Sequence, residues 1–191
     1  METSKKRGQV VVVSGPSGVG KSTVCRRLCE KVPAEFSVSV TTRKRRINEE
    51  HARDYHYISP EEFAKLKDSG GLLESAEVYG HWYGTPLAEV ETAIAQGRVI
   101  VLEIDIKGCI QVRRKMPDAR TFFLLPPTSD EQRRRIEGRR TDDATAIRER
   151  LSQADGEIRY AMESGCYDDF IINDDLNETV DKIYAKLVKN V

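Results

Sequence analysis

An α/β fold, in which a mainly parallel sheet is flanked by helices, is predicted by three observations. Four short runs, Val10–Val13, Val99–Leu102, Thr121–Leu125 and Phe170–Ile172, are rich in β-branched or aromatic residues and bounded by Gly, Pro, Asn or Asp. Runs of that kind suit strands buried on both faces. Between them lie segments with apolar residues at helical spacing, and an alternation of strand and helix builds parallel sheets whose ligands bind beyond the carboxyl ends of the strands. Third, the 191 residues carry no repeat and no Gly/Ser linker, so any lobes are insertions into one unit.

In chain order, the valine run 10–13 leads into a helix with Val24, Leu28 and Val32 on one face. Ser37–Val40 reads as a further, more polar strand. Residues 43–85 break the rhythm: Tyr55–Ile58, Leu72–Leu73 and His81–Tyr83, separated by Gly or charged turns, predict a small sheet-containing insertion. After the strands at 99–102 and 121–125, the stretch of about 130–150 reads as irregular surface crowded with Arg133, Arg134, Arg135, Arg139, Arg140, Arg148 and Arg150, with the character of a mobile lid. A helix with Ile147, Leu151, Ala154, Ile158 and Ala161 follows the capping residues Thr141, Asp142 and Asp143. The last strand, 170–172, precedes a helix carrying Val180, Ile183 and Leu187.

Composition narrows the function. Lys plus Arg and Asp plus Glu are 31 each, so the net charge is 0, and 39% of residues are hydrophobic. That balance excludes a cationic nucleic-acid coat and a disordered chain. No run approaches the ~18 apolar residues of a membrane span, and Met1–Arg7 has no apolar signal core, so a cytoplasmic protein is expected. Cys25, Cys29, Cys109 and Cys166 have no Cys-x-x-Cys spacing and read as free thiols, the first two packing into the core.

Gly15-Pro16-Ser17-Gly18-Val19-Gly20-Lys21-Ser22 satisfies Gly-x-x-x-x-Gly-Lys-[Ser/Thr], between a strand and a helix. Such a turn aims backbone N–H groups and a helix N-terminus at phosphate. Lys21 supplies a mobile charge for the outer phosphates, and the Ser22 hydroxyl is suited to ligating the accompanying Mg²⁺. Phosphate binding alone is shared by ATPases, GTPase switches, motors and kinases. The absence of an Asn-Lys-x-Asp guanine motif speaks against a switch, and the chain length leaves little room for a motor's partner domains. A second basic segment, Ser39-Val40-Thr41-Thr42-Arg43-Lys44-Arg45-Arg46, points to a second phosphate-bearing substrate.

The chain resembles the guanylate kinases, from about residue 8 to its C-terminus. The resemblance rests on Gly15–Thr23, Ser39–Arg46, Arg53-Asp54-Tyr55, Leu73-Glu74, Tyr83-Gly84-Thr85-Pro86, Leu102-Glu103-Ile104-Asp105 and Ile172-Asn173-Asp174-Asp175, in that order. It implies a sheet of the type found in P-loop NTPases, forming a core of residues 8–38, 88–129 and 156–191, with an inserted mixed-β GMP-binding lobe at 39–87 and an arginine-rich helical lid at 130–155. The implied reaction is transfer of the γ-phosphoryl group of ATP to GMP or dGMP, with Mg²⁺. Matching positions assign Arg43, Arg46, Tyr55 and Tyr83 to the GMP phosphate and Ser39 and Glu74 to guanine, with Thr85 and Asp105 as further acceptor positions. Asp105 would also orient Mg²⁺ through water. Arg135, Arg139 and Arg150 would close over the ATP phosphates, alongside the loop residues Gly15, Pro16, Ser17, Gly18, Val19, Gly20, Lys21, Ser22 and Thr23, and Asn173 would contact the adenine. Lys21, Arg43, Arg139 and Arg150 would be the catalytic group. A carboxylate at Glu74 can accept from both N1–H and the exocyclic amino group of guanine, which adenine lacks on that edge; the unpaired charge would cost about 1 to 3 kcal/mol or more.

Three positions depart from the family's habit: Arg45 stands where Pro is common, Arg140 where Gly is frequent, and Ile106-Lys107 where an aromatic or Met precedes Gln. A related scaffold that phosphorylates ribose bisphosphate would not need Ser39 and Glu74, and non-catalytic interaction modules of this type typically lack a working phosphate loop. Nucleic acid and membrane are not expected partners. The sequence leaves monomer and homo-oligomer open.

Overall fold

The computed structural model describes residues 8–78, 80–137 and 144–188, with backbone alone between 144 and 150. Its elements in chain order are β1 (Gln9–Ser14), α1 (Lys21–Lys31), β2 (Ala34–Phe36), β3 (Val40–Thr41), β4 (His56–Tyr57), α2 (Pro60–Asp68), β5 (Leu72–Val78), β6 (His81–Pro86), α3 (Leu87–Ala95), β7 (Val99–Glu103), α4 (Ile106–Lys115), β8 (Arg120–Leu125), α5 (Ser129–Glu137), α6 (Ala144–Ser164), β9 (Asp169–Ile172) and α7 (Leu176–Val188).

Five strands form a parallel sheet in the order β2-β7-β1-β8-β9. Each predicted run of apolar residues became one of its members; β1, β7 and β8 are covered on both faces, whereas the edge strand β9 leaves Phe170 and Ile172 exposed. The two covers are separate clusters. Val10, Val12, Ile100, Leu102 and Phe123 face α3, α4 and α6, whereas Val11, Val13, Val101, Phe122 and Leu124 face α1 and α7. Phe122 and Phe123 are fully buried on opposite faces, each side chain contributing on the order of 1.5 to 3 kcal/mol by leaving water. Cys25, with Cys29 partly covered, packs in the second cluster, and all four cysteines are free thiols.

Ser37–Val40 is not one strand. The chain runs along the edge of the parallel sheet as β2, where the Ser37 N–H still donates to the Val101 carbonyl, then leaves it and joins a second sheet at β3. The cause is competition for backbone partners: at Ser39 the carbonyl already accepts from His56 of β4. That second sheet, β4-β3-β6-β5, is mixed, with β3 parallel to β4 and the other pairs antiparallel. Val40, Phe63 and Leu72 are its small core, closed by α2, whose Ser59–Glu62 capping box fixes the helix start.

The stretch read as irregular after residue 130 is largely helical. α5 is regular through Glu137 although nearly all its residues are polar, because two residues, Gln132 and Ile136, suffice to bury one face. α6 is continuous from 144 to 164, so the lid boundary expected at 155 falls inside a helix. Arg139, Arg140 and the capping residues Thr141, Asp142 and Asp143 lie outside the described residues. No helix among those described is long and apolar enough to cross a membrane.

Candidate active site

β1 delivers the chain into a turn at the carboxyl edge of the parallel sheet. Gly15, Gly18 and Gly20 have φ of 153°, 79° and 96°, a sequence of backbone states that side chains resist. Gly18 also has no room for more: a Cβ there would stand 2.5 Å from Ile136 of α5. Gly20 ends the turn and α1 begins at Lys21, so the N–H groups of its first turn face outward. The Lys21 ammonium folds back and donates to the carbonyls of Gly15 (2.6 Å) and Pro16 (3.1 Å). From α5, the Gln132 amide donates to the Ser17 carbonyl at 2.8 Å and braces the loop from outside.

Ser22 donates to Glu103 Oε1 at 2.8 Å. Glu103 ends β7, the neighbour of β1, so its carboxylate reaches the loop across one strand spacing. Asp105, just beyond, caps α4 by accepting from the Gly108 N–H at 2.7 Å, and burial raises its pKa. Hydroxyl and carboxylate oxygens are hard donors, and Mg²⁺ usually takes only one or two of these from the protein. Ser22, Glu103 and Asp105 therefore fit Mg²⁺ carried by phosphate and water.

Across a cavity of about 620 Å³ stands the second basic cluster. Arg43 leaves β3 and meets Glu49 through two hydrogen bonds, of 3.0 and 2.8 Å, while its Nε donates to the Tyr83 hydroxyl at 3.2 Å. The guanidinium also lies over the rings of Tyr55 and Tyr57, at 5.4 and 5.9 Å. Glu49 accepts further from the Arg46 backbone N–H and the Tyr57 hydroxyl. Burial would raise its pKa, but these donors outweigh it and hold it at about 2. Burial likewise opposes the charge on Arg43, and Glu49 and Tyr83 more than offset it, so its pKa is raised. Arg46 is half exposed, 3.8 Å from Glu49, and Arg45 donates to the Glu49 carbonyl.

Glu74 on β5 closes the far side. It is 4% exposed, accepts from the Thr85 hydroxyl of β6 at 2.8 Å, and burial lifts its pKa to about 7. Ser39, at the crossing between sheets, lines the same cavity, as do Tyr55, Tyr83, Lys21 and Asp105.

Most of the expected residues thus line this cavity, whereas Arg135, Asn173 and Thr23 line a second one. Arg135 engages the carbonyls of Asn173 (2.9 Å) and Val19 and lines a smaller cavity of about 270 Å³ with Gly18, Gly20, Thr23 and Asn173, instead of the large one. Arg139 lies outside the described residues, and of Arg150 only the backbone, in α6, is described. Asn173 is buried and lines that small cavity; its amide donates to the Val19 carbonyl, and its buried Oδ1 has no hydrogen-bond partner in the protein. Of the departures, Ile106 packs in the core and Lys107 lines the large cavity.

Sequence reasoning missed Glu49, Glu103, Gln132 and Glu157. Glu157 of α6 faces the cavity beside Lys21 and Asp105, its pKa raised by burial. A carboxylate at the end of the strand next to the phosphate-loop strand was a readable signal for Glu103. The other three have meaning only through their partners.

Comparison with known proteins gives one answer. The family model described as guanylate kinase matches residues 7–190. The guanylate kinase of Symbiobacterium thermophilum is 44% identical over 183 residues, covering 95% of this chain and 85% of the relative. That of Thermosynechococcus vestitus is 45% identical over 174 residues, covering 91% and 90%. The crystal structure of guanylate kinase from Anaplasma phagocytophilum superposes with a TM-score of 0.80 at 34% identity, over 97% of this chain and 87% of that one.

Proposed function

The chain belongs to the guanylate kinase family and transfers the γ-phosphoryl group of ATP to GMP, and from that premise we propose how its residues divide between the two substrates. ATP takes the wall formed by residues 15–23. Its phosphates replace the loop carbonyls as partners of Lys21 and accept from the outward N–H groups of the loop and α1. Ser22, Glu103 and Asp105 would hold Mg²⁺, which when bound would offset the phosphate charge. The adenine lies toward Asn173 and Arg135, which line the smaller cavity, and the family resemblance assigns Arg139 and Arg150 to the ATP phosphates.

GMP takes the opposite wall. Arg43, Arg46, Tyr55 and Tyr83 bind its phosphate, and Ser39, Glu74 and Thr85 bind the base. Glu74 accepts from N1–H and the amino group, and Ser39 donates to O6. Nothing in this set reads the ribose 2′-hydroxyl, so dGMP serves as well. An oxygen of the GMP phosphate attacks the γ-phosphorus; that P–O bond forms as the bond to the β,γ-bridging oxygen breaks, leaving ADP and GDP. No protein nucleophile takes part, so catalysis consists of alignment, charge neutralisation and exclusion of water. Exclusion would follow from closure over the core of the lobe 39–87 and of the lid expected at 130–155, whose last helix, α6, continues to Ser164. Free thiols and the soluble balance of charge support a cytoplasmic enzyme.

The observation that carries this reading is a single cavity with a phosphate loop on one wall and a tyrosine-braced arginine beside a buried carboxylate on the other. The test is ADP formation from ATP and Mg²⁺ with GMP, dGMP, AMP, CMP, UMP or ribose bisphosphate as acceptor. Turnover confined to GMP and dGMP is expected. Turnover with ribose bisphosphate alone would overturn the acceptor assignment, and GMP binding without turnover would make the chain an interaction module.

A further inference from the structure

The strand that carries Glu74 is the outer strand of the small sheet, and its free edge is not left to solvent. α4 of the core meets it. The Gln111 amide accepts from the Ser75 N–H (3.2 Å) and donates to the Ser75 carbonyl (2.8 Å), as a neighbouring strand would. One turn on, the Lys115 ammonium donates to the Leu73 carbonyl at 2.5 Å. Positions 108, 111 and 115 share one face of the helix. Two of them hold α4 against β5, and the third, Gly108, is where the helix passes the Glu74 side chain.

Gly108 is not there for backbone freedom, since its φ is outside the left-handed region that favours glycine. It is there for space. A Cβ at 108 would stand 2.5 Å from Glu74 Oε2, 3.0 Å from its Cδ and 3.3 Å from Asp105 Oδ1. The helix cannot retreat, because its N-terminus is held by the Asp105 cap and its middle by Gln111 and Lys115. The carboxylate cannot slide aside freely either, because its other oxygen is held by Thr85. We propose that Gly108 is a specificity-determining positioning residue: the side chain it lacks leaves the volume in which the Glu74 carboxylate sits, and so sets the enzyme's preference for guanine over adenine. The inference rests on the reading of Glu74 as the guanine acceptor.

The test is steady-state kinetics of Gly108→Ala, Glu74→Ala and the double variant, with GMP and AMP as acceptors and thermal unfolding of each. Gly108→Ala is expected to raise the KM for GMP about tenfold or more and to reduce the GMP/AMP preference by a similar factor, with the KM for ATP unchanged and kcat altered far less. In the Glu74→Ala background the same alanine is expected to cost no more than about twofold, because the atom it displaces is gone. The double variant should also regain any thermal stability that Gly108→Ala loses, so a merely misfolded single variant is recognised. Equal losses from Gly108→Ala in both backgrounds, or an unchanged GMP KM in the single variant, would overturn the inference alone. Full retention of GMP preference by Glu74→Ala would overturn the assignment of Glu74, and the inference with it.

Discussion

In the proposed assignment the two walls of the cavity bind phosphate by different means. On the donor wall the partners are backbone N–H groups, and the sequence supplies chiefly the absence of side chains: glycines at 15, 18 and 20, a turn wedged against Ile136, and one lysine that rests on its own loop. On the acceptor wall the partners are side chains from the loop after β3, the residue before β4, and β6. They need a scaffold of their own, and Glu49 provides it by engaging Arg43, the Arg46 N–H and Tyr57 together. A backbone site is built once by the turn; a side-chain site has to be braced. In the proposed assignment the braced wall is also the one that distinguishes bases, because the buried carboxylate of Glu74 lines it.

The difference is open to direct attack. Removing the donor wall's charge should have the largest effect. Lys21→Ala is expected to lower turnover by a factor of about 10² or more while changing the dissociation constant for GMP by no more than about twofold, read by single-turnover kinetics and calorimetry. A parallel loss of GMP affinity would mean that the walls are not separable. On the acceptor wall, Glu49→Gln removes the brace. Arg43 and Glu49 have side chains 13% and 17% exposed, so solvent screens their pairing little. The KM for GMP is expected to rise about tenfold with that for ATP unchanged. A fall in that KM would make Glu49 an occupant of the phosphate's place and not its brace. The smallest effect concerns the loop itself. Ala52 has φ of 63°, the one non-glycine among the described residues on that side of the map. Ala52→Gly should raise stability, by less than about 1 kcal/mol once the added freedom of the unfolded chain is subtracted, and leave kinetics untouched. A lower unfolding midpoint would show that the turn tolerates alanine without strain.

The sequence carried the donor wall almost completely, since a contiguous motif between a valine strand and an amphipathic helix encodes both turn and position. The core strands were equally plain, each being apolar on both faces. The acceptor wall was legible through the family resemblance, segment by segment. What escaped was relational. α5 buries only Gln132 and Ile136, too few apolar residues to announce a helix by their spacing. Ser37–Val40 looked like one strand because nothing in four residues says that two sheets compete for them. Glu49 and Gly108 are an ordinary charge and an ordinary glycine until Arg43 and Glu74 stand beside them.

The most direct test of the central claim, that an ionised Glu74 selects guanine, is the pH dependence of kcat/KM for GMP in the parent enzyme and in Glu74→Gln. Burial raises the Glu74 pKa to about 7, so the free protein binds a proton there below that pH. GMP needs the carboxylate as acceptor from two donors, so binding releases that proton and weakens as pH falls, by up to about tenfold per pH unit. The GMP phosphate itself titrates near ~6, but equally in both enzymes, so their ratio isolates Glu74. The account predicts that the parent's advantage over Glu74→Gln is full above pH 7 and shrinks steadily below it. An advantage that stays constant from above pH 7 to well below it would contradict it.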